Sequence, residues 1–391
     1  MEELEQLRRR LDATDREILE RLRERLELSG AVGQLKARTG TAQVPFLRDP
    51  EREAALLERI AGWSRELGLD PFRVGEIFRE VIAMSLKVQE ETLLHRAAQE
   101  RAVHNASRVS YQGTDGAYSH IAARKYFTGR EAMEYEGFPT FAQALREAEI
   151  GETGYAFLPI ENTTAGSINE TYDLLRHTEL SIVGEEVLEV RHCLLGLEER
   201  DPASLSRVLS HPQALAQCSR YLRALEGVPA VAFTDTAEAA RKVKEDGDPA
   251  QAAIASEEAG VLYGLRVLAR GIADQEENWT RFVVVSAIDI VPDPRIPAKT
   301  SLVLTTPHRH GALAHCLEVL AEHGLNLTKL ESRPVPRHPW EYLFYVDFEG
   351  SLAEDAAARA IAALRRECPY LKVLGSYPSR TTALGQVDRR G

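Results

Sequence analysis

Apolar residues in the first hundred positions recur at the three- and four-residue spacing of an amphipathic helix. Those on one side of the first predicted helix are Leu4, Leu7, Leu11, Ile18, Leu22 and Leu26. After a break at 39–45, Asp49 is the predicted N-cap of a second helix that starts at Pro50, and a third helix starts near Pro71. Three helices this elongated cannot bury their apolar faces without a partner chain, so we expect an intertwined homodimer or higher homo-oligomer.

From residue 108 the pattern changes to short apolar runs separated by helical stretches. Strands are predicted at 108–111, 155–160, 180–183, 207–209, 230–233 and 281–285. Strands that alternate with helices are typical of α/β domains, so we expect a mostly parallel sheet in one or two lobes.

The last segment follows a predicted linker that contains Pro292, Pro294 and Pro297. Its elements are predicted in the order strand 301–305, helix 311–323, a strand, strand 342–348, helix 353–367 and strand 371–377. This βαββαβ order predicts a ferredoxin-like plait. The chain is therefore expected to be multidomain, with an all-α, an α/β and an α+β part in succession.

Composition narrows the class of protein. The 391 residues are too many for one ordinary core and fit two to four domains. With 60 acidic and 48 basic residues the net charge is −12, which argues against general nucleic-acid binding but permits a local cationic pocket. No apolar run is long enough to cross a membrane, and the charged N-terminus has no apolar signal segment. The cysteines form no C-x-x-C pair, so we expect a cytoplasmic protein with reduced thiols and no metal; they are Cys193, Cys218, Cys316 and Cys368.

Several cations in the helical segment share one direction. Arg25 and Lys36 are eleven residues apart, which leaves them only about 20° from the same helix face. Arg8 lies roughly 100° off that face, so in a straight helix it could reach the same ligand only from another chain. An isolated arginine of this kind would normally be part of a solvated face. The complete candidate set is Arg8, Arg25, Lys36, Asp49, Arg52, Glu53, Ser85 and Gln89.

The order of this set resembles the all-helical chorismate mutases. The resemblance implies a Claisen rearrangement of chorismate to prephenate, which needs no nucleophile, metal or cofactor. It also implies that Arg25 and a partner-chain Arg8 bind the two carboxylates, that Lys36 and Gln89 donate hydrogen bonds to the ether oxygen, and that Glu53 holds the ring hydroxyl. Asp49, Arg52 and Ser85 would support binding. Lyases that cleave isochorismate share this architecture, so the helical segment alone leaves the reaction open.

Polar clusters lie beside the strands of the middle segment, where open α/β sheets bind ligands. They are 113–120, 159–169, 210–219 and 278–282. Turn and capping roles would explain each cluster alone, but together they resemble prephenate dehydratase motifs in the family's order. One departure is Gly113-Thr114-Asp115-Gly116, where the family usually has Gly-Pro-x-Gly. The missing proline puts the rigidity of that loop in question.

The dehydratase resemblance implies a two-lobed, periplasmic-binding-protein-like domain that removes carbon dioxide and water from prephenate to give phenylpyruvate. By this resemblance Thr280 binds or protonates the leaving hydroxyl. The candidates for carboxylate recognition or for shaping the site are Asn162, Ser210, Gln217 and Arg281. Glu161, also a candidate substrate-binding residue, could be the acid only if burial raised its pKa well above the usual ~4.3.

The plait carries two short strings that resemble the ACT regulatory domain of phenylalanine-making dehydratases. They are Asn326-Leu327-Thr328 and Glu331-Ser332-Arg333-Pro334, preceded by Gly311-Ala312-Leu313 at the start of a helix. The resemblance implies a phenylalanine site at a subunit interface, formed by Gly311, Ala312, Leu313, Asn326, Leu327, Glu331 and Ser332. Phenylalanine bound there would inhibit the dehydratase by feedback.

The three resemblances follow the order of the bifunctional chorismate mutase/prephenate dehydratase family. They imply a mutase domain at 1–100, a dehydratase domain at 105–290 and an ACT domain at 298–380. Two alternatives remain: a dehydratase that prefers arogenate, and a non-catalytic sensor of an aromatic acid.

Overall fold

The computed structural model describes residues 2–38, 50–130, 132–288, 290, 292, 297–335 and 342–381. The chain divides into two compact units, Met1–Ala97 and Ala98–Gly391. The predicted break at 39–45, Asp49, and Pro294 of the predicted linker lie outside the described residues. No helix in the described part of the chain has an apolar stretch long enough to span a bilayer.

The first unit is helical, as predicted. Its helices are α1 (Glu2–Arg38), α2 (Pro50–Glu66) and α3 (Pro71–His104), the last of which continues into the second unit. Within the single chain, α1 leaves six apolar side chains more than half exposed: Leu4, Leu7, Leu11 and Ile18 of the predicted apolar face, with Leu19 and Leu28 on either side of it. Burial of apolar surface is the main stabilising contribution in folding and association, so this face of α1 is not satisfied by its own chain.

The second unit starts with a sheet and its helices. The elements are β1 (Arg108–Gln112), α4 (Tyr118–Tyr126), β2 (Glu134–Phe138), α5 (Phe141–Glu149), β3 (Tyr155–Asn162), β4 (Gly166–Ser167), α6 (Asn169–His177) and β5 (Ser181–Glu189). The chain then forms a second lobe from β6 (Cys193–Gly196), β7 (Arg207–Ser210), α7 (Pro212–Gln217), α8 (Ser219–Ala224), β8 (Ala230–Ala232), α9 (Thr236–Asp246), β9 (Gln251–Ala255), α10 (Glu257–Tyr263) and β10 (Arg266–Arg270). It finally returns to the first lobe as β11 (Trp279–Ser286).

The return of β11 decides the topology of both lobes. The strand order is β2-β1-β3-β11-β5 in the first lobe, with β4 beside β3, and β10-β6-β9-β7-β8 in the second. The two lobes confirm the predicted architecture, but the expectation of a mostly parallel sheet is wrong. Strand β11 runs antiparallel to both β3 and β5, and β6 is antiparallel to β9 and β10, so both sheets are mixed.

The last part of the chain is the predicted plait. Its elements are β12 (Ala298–Thr305), α11 (Ala312–Glu322), β13 (Leu327–Pro334), β14 (Tyr342–Glu349), α12 (Asp355–Glu367) and β15 (Tyr370–Pro378). The strands form one antiparallel sheet in the order β13-β14-β12-β15. Leu302, Leu304 and Phe348 on one face of this sheet pack with residues of α11 and α12.

The opposite face of the plait sheet is part of the core of the first lobe. Val303, Tyr345 and Tyr377 share one apolar cluster with residues of β3, β5 and β11. The approach of β15 to β5 is so close that a Cβ atom on Gly375 would lie 2.2 Å from the carbonyl oxygen of Ile182. The plait and the first lobe are therefore packed as one body, and contacts between them can transmit displacement.

Candidate active sites

In the helical unit the structure brings Arg25 of α1 to Ser85 of α3. The Arg25 guanidinium donates hydrogen bonds to the Ser85 hydroxyl and to the carbonyl oxygen of Val81 at 3.2 Å. Burial lowers the pKa of Arg25, as expected for a cation held partly out of water. Ser85 also donates to the Val81 carbonyl at 2.8 Å, so its side chain is fixed on α3.

The remaining candidates of the mutase set are less closely assembled. Arg8 is exposed and lies on the same continuous helix as Arg25, about 25 Å away along its axis. Arg52, which is exposed, and Glu53, which is half-buried, begin α2 as predicted. Asp49 and the side chains of Lys36 and Gln89 lie outside the described residues. Because α1 is one continuous helix and about 25 Å separates the two residues along it, one chain cannot place Arg8 and Arg25 on one small ligand.

A second candidate site is the cleft between the two lobes, with a volume of about 370 Å³. Residues of both lobes line it, among them Tyr118, Asn162, His192, Gln217, Asp235 and Thr280. The described lining residues include no lysine or arginine. The cationic pocket that the sequence permits is therefore not found among these residues, which include the acidic Glu170 and Asp235.

Asn162 and Thr280 form the centre of the cleft wall. They are cross-strand partners on β3 and β11, and both are more than nine-tenths buried. The Asn162 amide nitrogen donates to the Thr280 hydroxyl oxygen at 2.9 Å and to the Asn278 side-chain oxygen at 2.7 Å. A hydroxyl that accepts a hydrogen bond can still donate its own proton, so Thr280 can act as a donor to a ligand.

The side-chain amide of Asn162 also belongs to a longer hydrogen-bond network. Its oxygen accepts from the backbone N–H groups of Thr164 and Ala165 at 3.0 and 2.9 Å, so the Thr164 hydroxyl, 2.7 Å away, must donate to it. The Thr164 oxygen in turn accepts from the Gln217 amide nitrogen. Since Gln217 is on α7 of the second lobe, this hydrogen bond joins the two lobes across the cleft.

The network continues to His192 in the chain crossing between β5 and β6. The Gln217 side-chain oxygen lies 2.9 Å from Nε2 of His192, and Nδ1 lies 3.0 Å from the Tyr118 hydroxyl. The amide oxygen only accepts, so Nε2 carries a proton and donates it to Gln217, while the Tyr118 hydroxyl is also 2.9 Å from the Arg191 carbonyl oxygen. Burial lowers the pKa of His192, although the hydrogen bond to Gln217 partly opposes the shift, so the neutral ring is the favoured form.

The loop that lacks the family's proline is held in another way. Gly113 and Gly116 have φ angles of +108° and +88°, which side chains disfavour. Within the loop, the Asp115 carboxylate accepts from the Tyr111 hydroxyl at 2.7 Å, and its carbonyl oxygen accepts from the Tyr263 hydroxyl at 2.6 Å. The second of these hydrogen bonds comes from the other lobe, and both hold the loop in place.

Three predicted substrate-binding residues are not in the cleft. Ser210 is fully buried in β7 and donates to the Ile254 carbonyl oxygen at 2.6 Å. Arg281 donates to the carboxylates of Glu185 and Asp347, both at 2.7 Å, on the side facing the plait. Glu161 accepts from Lys329 of the plait at 2.9 Å. Neighbouring residues of a strand point to opposite faces, so Arg281 and Glu161 turn away as Thr280 and Asn162 turn inward. None of these three residues is among those that line the cleft, so of their predicted roles only shaping of the site fits their positions.

The predicted effector residues lie on two elements of the plait. Gly311, with a φ angle of +75°, precedes α11, whose first residues are Ala312 and Leu313. Asn326 donates to Glu349 at 2.9 Å just before β13, which begins at Leu327. Strand β13 is at the edge of its sheet and also carries Glu331 and the exposed Ser332. An edge strand with free backbone groups is suited to an interface with another chain.

Sequence reasoning missed Tyr118, His192 and Asp235, which line the cleft, and Thr164 and Asn278, which form hydrogen bonds with Asn162. Thr164 and Asn278 are inside the polar clusters found in the sequence, which was the available signal. His192 is a single polar residue between two strands and has no such signal. Asp235 is recognisable only as the N-cap of α9, where its carboxylate accepts from the backbone N–H groups of Ala237 and Glu238.

Three protein-family models match the chain in succession. They are chorismate mutase type II at residues 7–90, prephenate dehydratase at 109–289 and ACT domain at 300–366. A relative from Enterobacter agglomerans, described as a bifunctional chorismate mutase/prephenate dehydratase, is 38% identical over 384 residues and covers 98% of both chains. The three matches agree with the three resemblances found in the sequence.

Solved structures resemble the part of the chain that follows the helical unit. A prephenate dehydratase from Arthrobacter aurescens in complex with L-Phe is 30% identical, with a TM-score of 0.64 over 71% of this chain and 91% of its own. A structure described as GqqA, a novel type of quorum quenching acylases, is 34% identical, also with a TM-score of 0.64, over 71% of this chain and all of its own. One fold thus carries different descriptions, so function has to be argued from the site.

The neutral His192 predicts an acid-sensitive cleft. Its folded pKa is lowered, so the unfolded chain takes up the proton first as the pH falls through about 6.5. The stability that neutral His192 provides is present above that pH and is lost below it. We expect the melting temperature of His192→Gln to fall less than that of the wild type between pH 7.5 and pH 5, as measured by calorimetry.

His177→Gln is the matched control, because His177 is exposed on α6 and its replacement is expected to keep the wild-type pH dependence. An unchanged pH dependence in His192→Gln would contradict the prediction.

Proposed function

Because the chain belongs to the bifunctional chorismate mutase/prephenate dehydratase family, we propose that it converts chorismate to phenylpyruvate in two steps on two separate segments. The helical segment is a chorismate mutase and the two-lobed segment is a prephenate dehydratase. The observation that carries the dehydratase proposal is the Asn162–Thr280 hydrogen bond of 2.9 Å inside a cleft that both lobes close.

In the mutase step the ligand rearranges without a covalent intermediate. The ether C–O bond breaks while a new C–C bond forms, so the enzyme has to select the reactive conformer and stabilise charge that develops on the ether oxygen. We assign Arg25, positioned by Ser85, to one carboxylate, and Arg8 of a second copy of this chain to the other. Lys36 and Gln89 are assigned to the ether oxygen and Glu53 to the ring hydroxyl, with Asp49 and Arg52 as further binding residues.

In the dehydratase step two bonds of prephenate break. The ring carboxylate leaves as carbon dioxide, its electron pair completes the aromatic ring, and the hydroxyl leaves as water after it accepts one proton. Thr280 is assigned to donate a hydrogen bond to the leaving hydroxyl, and Asn162 fixes the Thr280 oxygen. Gln217, held by Thr164 and His192, is assigned to the substrate's carboxyl groups from the second lobe.

The plait is assigned to feedback control by phenylalanine. The support is the ACT-domain match, and the L-Phe that accompanies the similar structure from Arthrobacter aurescens. Phenylalanine is the amino acid that corresponds to phenylpyruvate, so a site for it would report the level of the end product. A typical allosteric coupling of about 1 to 3 kcal/mol would suffice for 5- to 150-fold control.

We also propose that the chain acts as a homo-oligomer through its helical unit. The exposed apolar face of α1 requires a cover, and the long separation of Arg8 from Arg25 requires a second chain to complete each mutase site. Both requirements are met if α1 packs against a second copy of the unit.

The direct test adds chorismate to the purified protein and follows chorismate, prephenate and phenylpyruvate, with and without phenylalanine. We expect chorismate to disappear, phenylpyruvate to form and phenylalanine to suppress that formation. Prephenate that accumulates unconverted would refute the dehydratase assignment, and stable chorismate would favour the sensor alternative. Arogenate offered beside prephenate decides which of the two is the better substrate.

Replacement of Thr280 tests the dehydratase assignment. Thr280→Val keeps the shape but removes the donor, so dehydratase kcat is expected to fall by about 10²- to 10⁴-fold, as is typical when a positioned proton donor is lost. Thr280→Ser keeps the hydroxyl and should retain most of the rate. Mutase activity of the same samples is the internal control. Equal activity of the two variants would exclude the proposed role of the hydroxyl.

Mixing of two inactive variants tests the shared mutase site. Arg8→Ala and Arg25→Ala should each lower mutase kcat/KM by about 10- to 150-fold, because each removes hydrogen bonds to a charged group. Co-refolded together, the two chains form mixed dimers in which one of the two sites has both arginines. Random mixing should restore about one quarter of wild-type activity. Unmixed variants refolded alone are the control, and no recovery on mixing would contradict the shared site.

A further inference from the structure

Four charged side chains meet where the plait sheet lies on the first lobe. These are Glu161, Arg281, Lys329 and Asp347, called here the charge quartet. Nη1 of Arg281 lies 2.7 Å from the Asp347 carboxylate and 3.6 Å from the Glu161 carboxylate. Nζ of Lys329 lies 2.9 Å from Glu161. Two ion pairs thus cross from the plait to the lobe, and a third contact joins them within the lobe.

The charge quartet consists of two cross-strand pairs, one in the first lobe and one in the plait. Arg281 and Glu161 are cross-strand partners on β11 and β3, and Lys329 and Asp347 are cross-strand partners on β13 and β14. The next partners along β11 and β3 are Thr280 and Asn162. Arg281 and Glu161 are therefore adjacent in sequence to the cleft residues Thr280 and Asn162, and their side chains point to the opposite face of the same strands.

Three members of the quartet are largely out of water, whereas the Glu161 side chain is 37% exposed. Arg281 and Asp347 are buried, and the Lys329 side chain is only 10% exposed. Arg281 also binds Glu185, which Lys299 of β12 approaches to 3.2 Å. Burial alone would raise the pKa of Glu185, but Arg281 and Lys299 lower it to about 2, so it is charged. Removing one partner of such a buried pair is strongly destabilising, so the two surfaces favour moving together.

Strand β13 connects the quartet with the predicted effector residues. Lys329 donates to the Ser167 hydroxyl at 3.0 Å, and Ser167 donates to the Glu331 carboxylate at 2.9 Å. Glu331 belongs to the effector set, and Ser167 is the cross-strand partner of Glu161 on β4. A ligand that draws on Glu331 would therefore disturb the position of Lys329 and of the β3–β4 hairpin together.

We propose that the charge quartet is the coupling element between the effector strand and the dehydratase cleft. A displacement of β13 or β14 moves the ion-pair partners of Glu161 and Arg281. Glu161 and Arg281 then move as well, and with them Asn162 and Thr280, which are their neighbours on the same strands. The inference rests on the proposed function, in that the cleft is taken as the dehydratase site and the plait as the phenylalanine site. Glu161 and Arg281 act as positioning residues and do not touch the substrate.

Lys329→Met tests the proposal, since it removes one charge of the quartet and keeps the apolar stem. The matched control is Lys372→Met. Lys372 also reaches from the plait to the first lobe, where it donates to the carbonyl oxygens of Leu175, Arg176 and Thr178, but these are not on β3 or β11. The measurements are phenylalanine binding by calorimetry, and dehydratase kcat and KM with and without saturating phenylalanine.

In Lys329→Met we expect phenylalanine affinity within about threefold of wild type but inhibition at saturation weakened at least fivefold, the lower end of ordinary allosteric coupling. Without phenylalanine, dehydratase kcat should change at least about threefold with little change in KM. Lys372→Met should keep wild-type inhibition and kcat. Lys329→Met should have a smaller effect in a Glu161→Gln background than in the wild type, because the contact between these two residues is already lost there.

The proposal is overturned if Lys329→Met is inhibited as the wild type is, or if Lys372→Met loses inhibition equally. A wild-type protein that binds no phenylalanine would refute the proposed effector instead. In that case the effector-free kcat decides: a change confined to Lys329→Met supports positioning by the quartet, and no change in either variant overturns it.

Discussion

The pairing of β11 with β3 is the constraint on which the other features of the second unit depend. The chain leaves the first lobe after β5, builds the second lobe, and returns as β11 between β3 and β5. This return creates two crossings between the lobes and hence a cleft, and it fixes Thr280 opposite Asn162. A shift of one residue in this register would turn Arg281 into the cleft and Thr280 toward the plait. The register is held by Phe282, Val283, Val284 and Val285, all fully buried or nearly so.

The same pairing gives the strands two functional faces. One face presents hydroxyl and amide groups to the cleft, and the other presents a guanidinium and a carboxylate to the plait. The plait sheet packs into the core of the first lobe, and Gly375 lies against the backbone of Ile182. Because this packing is tight, a displacement of the plait strands is transmitted to the first lobe. Allosteric control needs a bistable element that both sites touch, and these two strands meet that condition.

The sequence predicted which helices and strands form better than it predicted the direction in which individual side chains point. Amphipathic spacing and the βαββαβ order located the helices and the plait, because long periodic segments leave a clear signal. Short or weakly apolar strands were missed: β2 is charged, β6 has four residues and β9 is rich in alanine. Polar clusters identified Asn162, Gln217 and Thr280, which the cleft brings together. They also selected Glu161, Ser210 and Arg281, which do not line the cleft, because a motif gives the identity of a residue while the strand's pleat and register decide which way it points. His192 joined the network only through a contact between segments distant in sequence, which no local pattern encodes.

The sorting of charge in the second unit also fits the chemistry of its cleft. Decarboxylation moves an electron pair from a carboxylate into the ring, so a cation paired with that carboxylate would stabilise the reactant more than the transition state. The described cleft lining includes no lysine or arginine, and the nearest guanidinium on β11 is turned to the other face, where Glu185 and Asp347 bind it. Neutral His192 fits the same pattern, because its hydrogen bond orients Gln217 and adds no positive charge to the cleft. A substrate carboxylate bound without a lysine or arginine can lose its charge without that opposition. Because neighbouring side chains of β11 point to opposite faces, Arg281 contacts the plait instead.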